Sequence, residues 1–298
     1  MIETEEARRN RNQILQLLQG SQEILTLPTV IHEIIEITSN PNSSSADLTR
    51  IIESDPALTV KILAVANSAY YGFVKKVSTV SHAVVVLGFS EIQNIALGMS
   101  VVKLFDQRGS EFVEKLWQHS YAVGVATRMI ASYLNLKMDG KYFVGGLLHD
   151  VGKIFLFQYQ PRSFGHLVAR LDDRDNKYGY HYLEEALYGI DHSTIGGELL
   201  SRWMFPGEIS EAVVRHHRPS AAHENQLFAA CVHLADLLCT VRGLTPLKNN
   251  FFLNFDRDVL GLIQTQKESF GTEDMRQLLL QLDLELERQS SFVAAFKR

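Results

Sequence analysis

Seven histidine and aspartate side chains in this 298-residue sequence stand out, by type and by their apolar surroundings, as candidates to hold divalent metal ions. They are His119, His149, Asp150, His192, His216, His217 and Asp236. His149 and Asp150 follow Leu147 and Leu148, the pair His216-His217 follows Val213-Val214-Arg215, and Asp236 is flanked by Leu234, Ala235, Leu237 and Leu238. A buried imidazole needs a hydrogen-bond partner, and a buried carboxylate needs a cation or several donors. One divalent ion would serve both groups. Imidazole nitrogen and carboxylate oxygen suit iron, manganese, nickel and zinc about equally, so these residues leave the ion's identity open. Four or more of them converging inside a helical bundle would make a site. Seven are enough for two metals, with a bridging water or phosphate oxygens between them. Lys153 lies one helical turn after His149 and could reach an anion held there.

Each of these residues also has a structural reading. Histidines cap helices or bond to carbonyls, and His216-His217 before Arg218-Pro219 could be a helix end. Lys153 could be a surface or helix-end lysine, and the whole set could form a hydrogen-bonded polar core without metal. Against this, two buried-looking acids near histidines are hard to explain by packing alone. His181, His223 and His233 have no evident partner in the sequence and stay unassigned. Cys231 and Cys239 read as small core residues, too few for a disulfide framework, and point to a reducing cytoplasm.

The elements that position these groups are read from periodicity. Seven prolines and nineteen glycines are few for an all-β chain, and apolar residues recur at helical spacing. Ile14, Leu17 and Leu18 make one stripe. Val30, Ile31, Ile34, Ile35 and Ile37 make another, opened by Pro28. After the loop Asn40 to Ser45, Asp47 is placed to cap a helix carrying Leu48, Ile51 and Ile52, and Asp55-Pro56 restarts one with Leu58, Ile62, Leu63 and Val65. His149-Asp150 is read as lying inside an apolar helix. The polar stretch Lys103 to Ser110 suggests a division near residue 108, giving units 1–108, 109–242 and 243–298. Leucines 278, 279, 282 and 286 mark a closing amphipathic helix, which could pack on its own chain or on a second one, so the oligomeric state is open. Asn67 to Gly72 is either a recognition loop or a helix C-cap, and the turn-forming Asn67 and Gly72 favour the cap. The net charge of −5 excludes a dedicated phosphate-backbone surface, so no nucleic-acid partner is expected. The apolar run Ala83 to Leu87 is too short to cross a bilayer, and the charged N-terminus has no signal-peptide core.

With these elements in place, the order His119, His149-Asp150, Asp236 resembles the metal signature of the HD superfamily of phosphohydrolases. More closely, residues 22 to 242 resemble the HDOD family. The residues that carry this are Ile52 to Leu58, Asn67 to Gly72, Ser81-His82-Ala83, Val86-Leu87-Gly88, Gly146 to Lys153, Asp191-His192 to Gly196, Leu199 to Trp203 with Pro206, and His216-His217. The resemblance implies an all-α fold in which an N-terminal helical bundle packs against an HD-like helical domain. It also implies a bacterial cytoplasmic regulator whose partners are other signalling proteins, and a non-catalytic relative of the HD hydrolases. Many such relatives have lost metal ligands, whereas this chain keeps every candidate position. It departs from the HD-GYP phosphodiesterases, in which Glu and soon Gly-Tyr-Pro follow the histidine pair. Here Arg218-Pro219 follows, and Gly-Tyr-Pro is absent from the chain. Three readings follow, in order: a signalling module whose metal is structural or sensory, a metal-dependent phosphohydrolase of a nucleotide or other phosphoester, and a metal-free polar core.

Overall fold

The computed structural model describes residues 4–20, 30, 33–34, 36–37, 43–67, 71, 73, 75–89, 91–93, 95–96, 110–136, 140–171, 178–247 and 255–288. These residues form helices and turns with no strand among them, as the periodicity requires. The division near residue 108, Pro28, Ile31, Ile35 and Gly72 lie outside the described residues.

Bounded helices in the first stretch of the described residues are α1 (Glu5–Gly20), α2 (Ser45–Glu53), α3 (Pro56–Ala66) and α4 (Val80–Leu87). Ser44 caps α2, and Asp47 completes the capping box from the third position by accepting the Ser44 N–H. The expected cap is therefore shared between two residues. Asp55 caps α3 with Pro56 at its first position, where the missing N–H costs nothing. Asn67 ends α3. Its Nδ2 donates to the carbonyls of Leu63 and Val77, and its Oδ1 accepts the Val77 N–H. This is the structural role that the sequence favoured for Asn67.

The second stretch opens with α5 (Glu111–Tyr133), a 23-residue helix buried along most of its length. It continues through α6 (Lys141–Leu148), α7 (Val151–Tyr159), α8 (Pro161–Leu171), α9 (Tyr180–Tyr188), α10 (His192–Arg202), α11 (Gly207–Arg215) and α12 (Gln226–Val241). Gly189 takes the left-handed φ of 66° that stops α9, and Asp191 caps α10 two residues later. A short helix, α13 (Val259–Gln264), and a 17-residue helix, α14 (Thr272–Arg288), follow.

One buried cluster runs from Ile14 and Leu18 of α1 through Leu48, Ile52, Leu58, Ile62 and Val84 to Leu147, Leu156, Ile195 and Val213. Side chains from both sides of residue 108 thus share one core. Helix α1 itself lies on α9, where Asn10 Nδ2 donates to the Leu187 carbonyl. A second cluster packs α12, α13 and α14 on the far side of α5. Leu278 and Leu282 of α14 enter it, and the Tyr133 hydroxyl donates to Asp274 (2.6 Å). The closing helix therefore packs on its own chain.

Candidate metal centre

Three of the seven candidate residues lie on helices and four follow helix ends. His119 lies on α5 and Asp236 on α12. His149 and Asp150 form the turn between α6 and α7, which corrects the expectation that they lie inside a helix. His192 is the first residue of α10, and His216 and His217 follow the end of α11. The breaks have a chemical consequence. A helix C-terminus leaves carbonyls free, and there His149 Nδ1 donates to Gly146 O (2.7 Å) and His216 Nδ1 to Val213 O (2.6 Å). His119 Nδ1 donates to Leu244 O (2.6 Å), beyond the Gly243 turn that ends α12. His192 Nδ1 bonds the Glu184 carboxylate.

A carbonyl only accepts, so Nδ1 carries the hydrogen in His119, His149 and His216. Each Nε2 then faces inward with a lone pair. The His119 and His149 atoms, with His192 Nε2, converge on Asp150. His119 Nε2 lies 3.6 Å and His149 Nε2 3.4 Å from Asp150 Oδ2, and His192 Nε2 lies 3.1 Å from Oδ1. His119 Nε2 is also 3.2 Å from Asp236 Oδ1, and His217 Nε2 is 2.9 Å from His192 Nε2. Two triads result, His119/His149/Asp150 and His192/His216/His217, each with ligand atoms within 4.8 Å of one another. All seven residues singled out in the sequence meet here.

This set of donors fits a metal. His149 Nε2 and His216 Nε2 are buried with no hydrogen-bond partner. A lone pair aimed at a carboxylate is repelled unless a proton or a cation lies between them. Donors about 2.0–2.1 Å from a shared divalent ion are about 3.0–3.4 Å apart, close to the spacings around Asp150. The imidazoles with Nδ1 tied to carbonyl or carboxylate have the orientation that metal-ligating histidines take.

Electrostatics agree. Burial opposes the charge on Asp150, but positive charge beside it, on His149 when that ring is protonated and on Lys153, holds its carboxyl well below the usual range, and a metal ion would supply the same charge in place of the proton. Asp236 is likewise held low against burial by His119. Burial, reinforced by neighbouring imidazoles, keeps His216 and His217 neutral, as ligands must be. His192 differs. Burial disfavours its charge, yet Glu184 and Asp150 on its two sides lift it to about 9. Lys153 is 9% exposed, and its Nζ donates to Asp150 Oδ2 at 2.6 Å, so the surface-lysine reading does not hold.

Access is narrow. His119, His149, Asp150, His192 and His216 are buried, and a cleft of about 360 Å³ reaches His217 between Tyr182, Arg218, Phe255 and Arg257. Of the unassigned histidines, His233 is structural: its Nδ1 donates to His216 O and its Nε2 accepts from Asp256 N. His181 stacks on His217, with ring centroids 4.4 Å apart. The sequence reading missed His181 and Glu184. The available signal was position: Glu184 shares an i, i+4 stripe with Tyr180 and Tyr188, both buried.

Comparison with known proteins places these features. The family model of the HDOD domain matches residues 24–219. An uncharacterized protein of Treponema pallidum (strain Nichols) is 25% identical over 263 residues, which is 84% of this chain and 50% of that protein. The chain thus spans about half the length of that relative. An HDOD domain protein of unknown function from Geobacter sulfurreducens has a similar structure, with a TM-score of 0.74, 23% identity and 97% of each chain covered. A protein named for signal transduction, from Marinobacter aquaeolei VT8, gives 0.68 at 21% identity, covering 100% of this chain and 68% of that one. A protein named as a candidate metal-dependent phosphohydrolase, from Shewanella amazonensis SB2B, gives 0.64 at 19% identity over 95% and 99% of the two chains. At these identities the structures establish a shared fold.

Proposed function

Because this chain belongs to the HDOD family, we propose that it is a cytoplasmic signalling module built around a divalent metal centre, working through contacts with other signalling proteins rather than through turnover. The observation that carries the metal is the inward convergence of the His119, His149 and His192 Nε2 atoms on Asp150, with the buried Nε2 atoms of His149 and His216 left without a hydrogen-bond partner. The ligands are His119, His149, Asp150 and Asp236 on one side and His192, His216 and His217 on the other, with Asp150 between them.

What favours a structural or sensory ion is burial. The cluster is walled by six helices, and Lys153 spends its charge on Asp150. An ion there ties together several helices that meet at the cluster, so occupancy would set how firmly they are held. The signal-transduction name of the Marinobacter aquaeolei neighbour agrees with this role.

One observation favours a second reading, a metal-dependent phosphohydrolase. The cleft at His217 carries Arg218 and Arg257, and guanidinium groups suit a phosphate. Bound there, the ion would supply Lewis-acid polarisation of a phosphoryl oxygen and acidify water. In that reaction His181 and Tyr182 would wall the cleft, and Lys153 would hold Asp150 ionised.

Elemental analysis of untagged protein purified without chelators, beside Asp150→Ala, tests the centre. Near-stoichiometric metal in the parent and none in the variant is expected. Metal-free parent protein that is folded would end the metal reading. A phosphoester screen of the loaded protein separates the two functions, since turnover abolished by Asp150→Ala would establish the hydrolase.

A further inference from the structure

Helix α9 supplies none of the seven candidate ligands, yet it reaches the cluster from behind at two points. Glu184 is fully buried. Its Oε2 accepts from the His192 backbone N–H at 2.9 Å and from His192 Nδ1. His181, three residues earlier, lies face to face with the His217 ring, 15° from parallel. The same helix thus backs two of the three histidines of one triad.

A purely structural account of Glu184 falls short. Helix α10 already has its cap, because Asp191 accepts the Thr194 N–H at 2.9 Å. A single further backbone N–H could be met by water or a neutral side chain, whereas a buried carboxylate is costly. Gripping both the backbone and the ring of one residue does something else: it fixes the ring's rotation. With Nδ1 held outward, His192 Nε2 points at Asp150 Oδ1 and His217 Nε2. His119, His149 and His216 use carbonyls for this purpose, and among the described residues His192 alone of the cluster uses a carboxylate. A carboxylate partner makes an imidazole a stronger donor to a metal than a carbonyl does.

We propose that Glu184 is the positioning residue of this centre, holding His192 with Nδ1 protonated and Nε2 turned inward, while His181 braces His217 from the same helix. The inference rests on the metal reading above. It makes α9 the second layer of the His192/His216/His217 half.

The test uses full-length protein, stripped with chelator and titrated with Co2+, followed by affinity and by the visible absorption of the bound ion. The parent, Glu184→Ala and Glu184→Gln are compared, with thermal melting of each metal-free protein as a check on folding. Glu184→Ala is expected to bind Co2+ roughly 10–100-fold more weakly, with altered bands. Glu184→Gln keeps an accepting oxygen and should recover part of the affinity. A lower melting temperature with unchanged affinity and spectrum would show a merely structural role and overturn the inference. If the alanine protein does not fold, the same comparison is made with Glu184→Gln, and parental affinity and bands there overturn it. Failure of the parent itself to take up Co2+ is a different result, which removes the metal reading and this inference with it.

Discussion

Asp150 is the residue on which the site turns. Its Oδ2 accepts from Lys153 and lies near His119 and His149, and its Oδ1 faces His192. Alanine there leaves a largely buried ammonium without its counter-charge, which costs about 3–5 kcal/mol. Asparagine keeps the shape and removes the charge. Urea denaturation should therefore show Asp150→Ala clearly destabilised even without metal. Asp150→Asn keeps an accepting oxygen for Lys153 and should be destabilised less than Asp150→Ala, but it should lose the ion, and an Asn variant with undiminished metal content would contradict the ligand role. A second prediction concerns Glu211 of α11. Burial pushes its carboxyl up, but the Asn225 amide and the N–H groups of residues 223, 224 and 225 hold it below the usual value. Its folded pKa is depressed, so its stabilisation is complete above the unfolded value near 4.5 and is lost as pH falls through the folded value. Glu211→Gln should cost about 1–2 kcal/mol at pH 7. The gap between variant and parent should close in acid, and a gap independent of pH would refute the assignment.

At the scale of elements, the cluster depends on how closely α7 crosses α10. A Cβ on Gly152 would stand 2.0 Å from the His192 carbonyl oxygen and 3.0 Å from the Gly196 nitrogen. Both are backbone atoms, so the helices themselves would have to part. That crossing sets Asp150 beside His192. Gly152→Ala should therefore cost about 3 kcal/mol and weaken metal uptake together, which denaturation and Co2+ titration would read. Gly165 on the exposed side of α8 is the control: an added Cβ meets nothing within 4 Å. Gly165→Ala should stabilise by about 0.5–1 kcal/mol and leave metal uptake alone. Equal losses in both variants would mean that the close crossing is not what matters at Gly152.

Across the whole molecule, the ligands join α5, the α6–α7 turn, α10, α11 and α12, and one core runs beneath them from α1 onward. An ion that binds only the assembled site stabilises the entire fold. At a free concentration of 100 times Kd the gain is about 2.7 kcal/mol. Chelator-treated protein should accordingly melt several degrees higher when Mn2+ or Co2+ is added, and Asp150→Ala should not respond. Identical melting of the parent with and without either ion would count against coupling between the centre and the fold.

Local information was enough for much of this. Helical periodicity reports which side of a segment is apolar, and it placed the stripes of α1, α2, α3 and α14. Residue type reports ligand capacity, and it singled out all seven members of the cluster before any geometry was available. What the spacing could not carry was where helices stop and how they cross. His149-Asp150 reads as helix interior because its neighbours are apolar, yet the chain turns there, and that turn frees the Gly146 carbonyl for His149. Glu184 is one of two adjacent acids in the sequence with nothing local to set it apart, but α1 packs on α9 and His192, eight residues later, bonds its carboxylate. The closing helix was equally free, by its pattern, to pack on a second chain. Its partner was decided by the apolar face of α5 that the rest of the fold left open. Convergence of groups as far as 117 residues apart depends on packing between helices, and only the tertiary structure records that packing.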